Sequence, residues 1–171
     1  MMAAPPAGVA LSSRPSILLR QAPAAPPAPG QAALDRPLTD DGQQEARAAA
    51  DWLAAHGVEP AVVLCSPARR TRQTAERVVE ALAASAALHI EPRIYEATPA
   101  DLLDLIEEHA GRDCVLVVGH NPGLETLVAL LTDGTSDNGR GMPPAAIAWL
   151  HVDADGALEP GAANLRHFWW P

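Results

Sequence analysis

Cysteine is nearly missing from this chain of 171 residues, with two in all. Cys65 and Cys114 each sit in an apolar run, Val62-Val63-Leu64-Cys65 and Cys114-Val115-Leu116-Val117-Val118. That excludes a disulfide framework and fits buried thiols serving as small hydrophobes. Aromatic residues are scarce at 4%, so the core is expected to consist of Ala, Val, Leu and Ile. Positive charge is short as well: 12 Lys and Arg against 21 Asp and Glu leave a formal net charge of -9. A chain without a basic stripe is not expected to bind nucleic acid. No run of apolar residues is long enough for a membrane span. The six histidines show no metal-ligand spacing, so neither a structural metal nor a cofactor is expected. No histidine precedes His56. Residues 1–15 are rich in Ala and Pro, and residues 1–13 lack a basic start and a clean apolar segment. They read as a disordered leader rather than a signal peptide, which makes a soluble cytoplasmic protein the simplest expectation.

What is present is a strand-helix alternation over residues 16–171, of a length for one domain with a substantial core. Ser16-Ile17-Leu18-Leu19-Arg20 reads as a buried strand, and the Ala/Pro-rich residues 22–33 form a loop over its end. Thr39 is placed to cap a helix reaching Ala55, with Gly57 as its stop. Strands are expected over residues 61–65, 88–94, 113–118 and 145–152. Helices are expected over residues 68–84, from Thr98 or Pro99 to His109, and over residues 124–131. Residues 132–142 read as a polar loop, residues 153–156 as a hairpin-type turn, and residues 158–171 as one possible edge strand. The fold class is therefore α/β, a three-layer sandwich whose mostly parallel central sheet carries an antiparallel edge and helices on both faces.

Three strand ends release polar clusters: Arg20-Gln21, Ser66 to Thr74, and Gly119-His120-Asn121-Pro122-Gly123. Ligands of open α/β sheets bind beyond the carboxyl ends of strands. Arginine forks suit phosphate or carboxylate, and two of them with an imidazole would cage a phosphoryl group. Arg69, Arg70 and Arg72 open a helix whose positive dipole end disfavours cations, unless an anion sits there. Each signal alone also fits an ordinary surface arginine, a solvated basic face or a structural histidine. Together they favour a phosphate site formed by Arg20, Arg70, His120 and Asn121.

The segments Arg36-Pro37-Leu38-Thr39-x-x-Gly42, Ser66-Pro67-x-x-Arg70-x-x-x-Thr74 and Val118-Gly119-His120-Asn121-Pro122-Gly123 follow one another as in the histidine phosphatase superfamily, which has a phosphoglycerate mutase-like fold. The chain resembles its small, SixA-like phosphohistidine phosphatase branch over residues 16–152. The resemblance implies a metal-free, two-step reaction through a phosphohistidine, with Arg20 and Arg70 as the two arginines and His120 as the second histidine. It places Glu96 near the acidic proton donor of many members. It implies phosphate, a phosphohistidine-bearing protein or a small phosphomonoester as partner.

The chain departs from that pattern at the nucleophile, where Gln21 stands in place of histidine. An amide nitrogen has its lone pair delocalised and cannot form a comparable phosphoryl adduct, although its NH2 can still bond a phosphate oxygen. The favoured expectation is an impaired phosphatase that retains phosphate or phosphoprotein binding. The alternative is an active phosphatase working by a modified mechanism.

Overall fold

A computed structural model describes residues 13–82, 88–136, 139–153 and 156–171. Most of the expected leader, the end of the second helix at 83–84 and the middle of the turn at 153–156 lie outside the described residues. Strand β1 (Ser13–Arg20) leads into helix α1 (Asp40–Ala55), then β2 (Val62–Cys65), α2 (Arg69–Leu82) and β3 (Leu88–Ile90). Helix α3 (Pro99–Glu108), β4 (Val115–Gly119), α4 (Gly123–Asp133), β5 (Ile147–Asp153) and β6 (Asn164–Trp169) complete the order. The six strands form one sheet in the order β3-β2-β4-β1-β5-β6. Strands β3, β2, β4 and β1 pair in parallel, whereas β5 and β6 add an antiparallel edge. The expected α/β architecture is the one observed.

Strand periodicity divides the core into two layers. On one face Leu18, Leu64 and Val117 pack against Leu102, Leu105, Leu124 and Leu127 of α3 and α4. On the other Ile17, Leu19, Val63, Leu116 and Val118 meet Ala49, Ala50 and Leu53 of α1 and Ala75 and Val78 of α2. β2 and β4 are buried at every position because both faces are covered. Cys65 and Cys114 belong to the second layer, and burial pushes their thiols up to about 12 and about 11. Neither is a thiolate nucleophile at neutral pH.

Residues 13–15, expected in the disordered leader, belong instead to β1, where they pair antiparallel with Asp153, Val152 and His151. Other boundaries differ for local reasons. β3 stops at Ile90, because Pro92 opens a 3-10 turn, Pro92–Ile94, capped by the Glu91 side chain. β5 begins at Ile147, after Ala145 has taken a positive φ of 62°. The expected hairpin-type turn does close on itself, with Gly156 N–H donating to Asp153 O at 2.9 Å, but the chain runs on to Asn164 before β6 begins. β6 carries the His167-Phe168-Trp169 segment. Trp169 stacks on Trp52 at 5.8 Å, and His167 meets Trp52 edge-on at 5.3 Å.

The loop after β1 is held by its own motif. Thr39 Oγ1 caps α1 by accepting from Gly42 N–H at 2.9 Å, and Thr39 N–H donates to Pro23 O at 3.1 Å. Gly42 lies so close to that carbonyl that a Cβ would fall 2.0 Å from Pro23 O. Gly42→Ala should therefore lower stability by about 1–3 kcal/mol, despite alanine's better helix propensity, because backbone must move. Thermal unfolding should show a drop of several degrees. Gly111→Ala, which meets nothing within 4 Å, serves as the silent control.

Candidate active site

Parallel pairing sets the carboxyl ends of β1, β4 and β2 side by side. Arg20 pairs with Gly119 and Cys65 with Val118, so Gln21, His120 and Ser66 each follow at the same edge. Gln21 N–H donates to Gly119 O at 3.0 Å, and Ser66 N–H donates to Val118 O at 3.1 Å. Thr74 ties this edge to α2: its hydroxyl donates to Arg70 O at 2.8 Å and accepts from Ala22 N–H at 3.1 Å. The spacing Arg70-x-x-x-Thr74 is one helical turn, which lets one threonine hold both the arginine's backbone and the residue after Gln21.

Arg70 and His120 line one cavity of about 480 Å³ with Tyr95, Glu96, Thr98 and Pro122. Of the three arginines opening α2, only Arg70 lines it; Arg69 is exposed, and Arg72 bonds Pro67 O. Arg70 Nη1 donates to Ala33 O at 3.0 Å, which brings the loop after β1 to the rim. Glu96 is exposed at the mouth and holds a left-handed φ of 57°. A non-glycine residue there costs energy that the surroundings must offset, and such positions cluster at ligand sites. Gly123 forms part of the floor. A Cβ on it would lie 2.6 Å from Ala97 O, so only glycine lets the segment after Tyr95 close on α4.

Arg20 borders a shallower adjoining depression with Asn121, Glu125 and Met142. Its Nη1 donates to Met142 O at 2.8 Å. Asn121, expected on the phosphate, has its side chain engaged by protein. Its Nδ2 donates to Met142 O at 2.8 Å and to Glu125 Oε2 at 3.1 Å, while Oδ1 accepts from Glu125 N–H.

Three polar atoms at this edge are buried without a partner: Arg20 Nε, Gln21 Oε1 and His120 Nδ1. Buried polar groups are almost always paired; among the described residues Gln43 Oε1, Arg77 Nε and Trp149 Nε1 are orphaned elsewhere, and the three here fall together on adjacent strand ends. The electrostatics agree on proximity. Burial, then the charges of Arg70 and Arg20, pull His120 down to about 4. Burial lowers Arg20, partly countered by Glu125, and lowers Arg70, reinforced by Arg36. Two partly desolvated guanidinium groups around a recess are suited to a small anion, with Glu96 and Glu125 offsetting part of their charge.

A family model described as histidine phosphatase superfamily (branch 1) matches residues 17–103. The chain is 35% identical over 143 residues to phosphohistidine phosphatase SixA of Escherichia coli K12, across 74% of this chain and 83% of that protein. The chain belongs to the histidine phosphatase superfamily. An uncharacterized protein of Mycobacterium tuberculosis is 34% identical over 152 residues, covering 83% of this chain and 93% of its own length. The structure of the protein histidine phosphatase SixA complexed with tungstate superposes with a TM-score of 0.74 at 29% identity, covering 92% and 97% of the two chains. A mycobacterial glucosyl-3-phosphoglycerate phosphatase, at 18% identity and a TM-score of 0.68 over 90% and 97%, shares the fold. The fold is that of the SixA-like branch of the superfamily.

Within this superfamily frame, sequence reasoning gave no individual role to Ser66, Tyr95 or Glu125. Ser66 follows a predicted strand inside a motif, a usable signal. Glu125 lies four residues beyond Asn121, within one turn. Tyr95 meets the His120 ring edge-on at 5.6 Å, a tertiary contact that no local pattern announces.

His120 gives a pH test. Its pKa is about 4 when folded against an ordinary 6.5, so between those values the unfolded chain binds a proton that the native one does not. The stabilisation from a neutral His120 is present above 6.5 and is lost as pH falls toward 4. Urea unfolding of the chain and its His120→Gln variant should show a stability difference that shifts against the native histidine by roughly 1–3 kcal/mol across this range. A difference independent of pH would contradict the burial argument.

Proposed function

We propose that this chain is a SixA-like phosphatase fold that binds phosphate or a phosphorylated protein and hydrolyses it poorly. The observation that carries the reading is the set of orphaned polar atoms, Arg20 Nε, Gln21 Oε1 and His120 Nδ1, beside the cavity that Arg70 lines. A phosphoryl group brings oxygens for the two guanidinium groups and for an imidazole N–H. A half-turn of the terminal torsion of Gln21 would put its NH2 where Oε1 lies, adding a neutral donor. The remaining cavity, between Tyr95, Glu96 and Thr98, has room for the group that carries the phosphate. Asn121 acts here by holding Met142 O and Glu125 rather than by touching phosphate.

The impairment rests on chemistry at Gln21, which stands where the family resemblance puts its nucleophilic histidine. A carboxamide offers no basic lone pair to phosphorus, so a covalent phosphoenzyme through this side chain is excluded. Charge-stabilising groups still give residual catalysis when a nucleophile is lost, while the loss itself can reach about a million-fold. The partner favoured by likeness to SixA is a phosphohistidine-bearing protein, with a small phosphomonoester sharing the same chemistry at phosphorus.

Hydrolysis of a phosphohistidine peptide and of an aryl phosphate, measured for the chain and for Gln21→His, tests this reading. The variant should be faster by at least about a thousandfold, with phosphate affinity little changed. A native chain that already matches the variant would end the impaired reading, and failure of both to bind phosphate by calorimetry would end the pocket itself.

A further inference from the structure

Ser66 is the first residue after β2 and is fully buried. Its N–H donates to Val118 O at 3.1 Å, and the Thr71 hydroxyl, with a single proton, lies 3.0 Å from Ser66 O and 2.8 Å from Ala68 O. Full burial then limits the side chain to the partners it meets. Its Oγ accepts from Ala68 N–H at 3.4 Å and lies 2.7 Å from His120 Nε2. A serine hydroxyl has one proton to donate, and among the described residues the acceptor it meets is that ring nitrogen.

The two neutral tautomers of His120 therefore differ in what they strand. With the proton on Nε2, that N–H would donate to Oγ, which already accepts from Ala68. The serine proton would then have no acceptor, and Nδ1 would be a buried bare lone pair. With the proton on Nδ1, Ser66 donates to Nε2, Ala68 donates to Ser66, and the single group left over is the Nδ1–H. A buried group without a partner carries its full desolvation penalty, so stranding one is better than stranding two. The group left over is a donor beside Arg20 and Arg70, and an anion supplies the acceptor it lacks.

We propose that Ser66 is a positioning residue that holds His120 as its Nδ1–H tautomer, so that the pocket presents a neutral N–H donor to phosphate. The role rests on the phosphate-pocket reading given above, but the tautomer belongs to the free protein and is read without any ligand. Ser66 itself does not touch substrate; it acts through the imidazole, as a fixed orienting partner does for other histidines whose second nitrogen works on a ligand.

The test is a long-range proton–nitrogen NMR spectrum of the full chain labelled with 15N-histidine, near neutral pH, with His120 assigned by its absence in His120→Gln. The expected His120 pattern is a protonated Nδ1 and a bare Nε2. Ser66→Ala should move the ring toward Nε2–H and weaken inorganic phosphate binding about tenfold by calorimetry, as loss of about 1.4 kcal/mol implies. Ser66→Thr, which keeps the hydroxyl, should restore both readouts. A native spectrum with Nε2 protonated overturns the proposal without reference to any variant, as does a folded Ser66→Ala protein that keeps the Nδ1–H pattern. Should the native chain show the expected tautomer yet fail to bind phosphate, the positioning by Ser66 stands and the pocket reading is what fails.

Discussion

Parallel pairing of β1 and β2 on either side of β4 is the constraint on which the site depends. Parallel strands end at the same edge, so three segments distant in sequence deliver Gln21, Ser66 and His120 to neighbouring positions. The Leu, Ile and Val of these strands are buried on both faces, and a one-residue slip would break both core layers at once. The placement of the polar residues is thus fixed by hydrophobic packing rather than by their own interactions. Helix and loop contacts then refine it: Thr74 binds α2 to the residue after Gln21, and Gly42 lets α1 press on Pro23.

The edge so assembled brings two guanidinium groups, Arg20 and Arg70, together with Glu96 and Glu125 on its rim, in a chain of formal net charge -9. Arg20 and Arg70 are partly desolvated, and burial of His120, reinforced by their charges, keeps it neutral instead of adding a third cation. A neutral imidazole beside two guanidinium groups adds hydrogen bonding without further repulsion. It also makes the direction of its N–H consequential, and that direction is set through Ser66 Oγ at 2.7 Å.

Much of this was legible in sequence. Continuous apolar runs marked β2 and β4, and Thr39 and Thr98 marked helix starts that both carry side-chain caps. Arg20, Arg70 and His120 stood out in sequence because each ends a strand, follows one or opens a helix after one; the structure puts Arg70 and His120 on one cavity and Arg20 on the adjoining depression. Pro92 shortened β3 and Ala145 delayed β5 through local backbone geometry, whereas the edge strand expected within residues 158–171 is present as β6, packed on Trp52 and Trp149 far away in sequence. The engagement of Asn121 by Met142 O was invisible, because it joins a loop to a strand end across 21 residues. Local pattern identifies elements and motif residues; which polar atoms stay unpaired is decided by tertiary contacts.

The central claim, that these strand ends form an anion pocket despite Gln21, is tested most directly by a crystal structure of the unmodified chain with tungstate, the anion held in the SixA complex. The account predicts tungsten density at this edge, with oxygens within hydrogen-bond reach of Arg20, Arg70, His120 Nδ1 and the Gln21 amide. Tungstate bound elsewhere, or a recess left empty at saturating concentration, would contradict it.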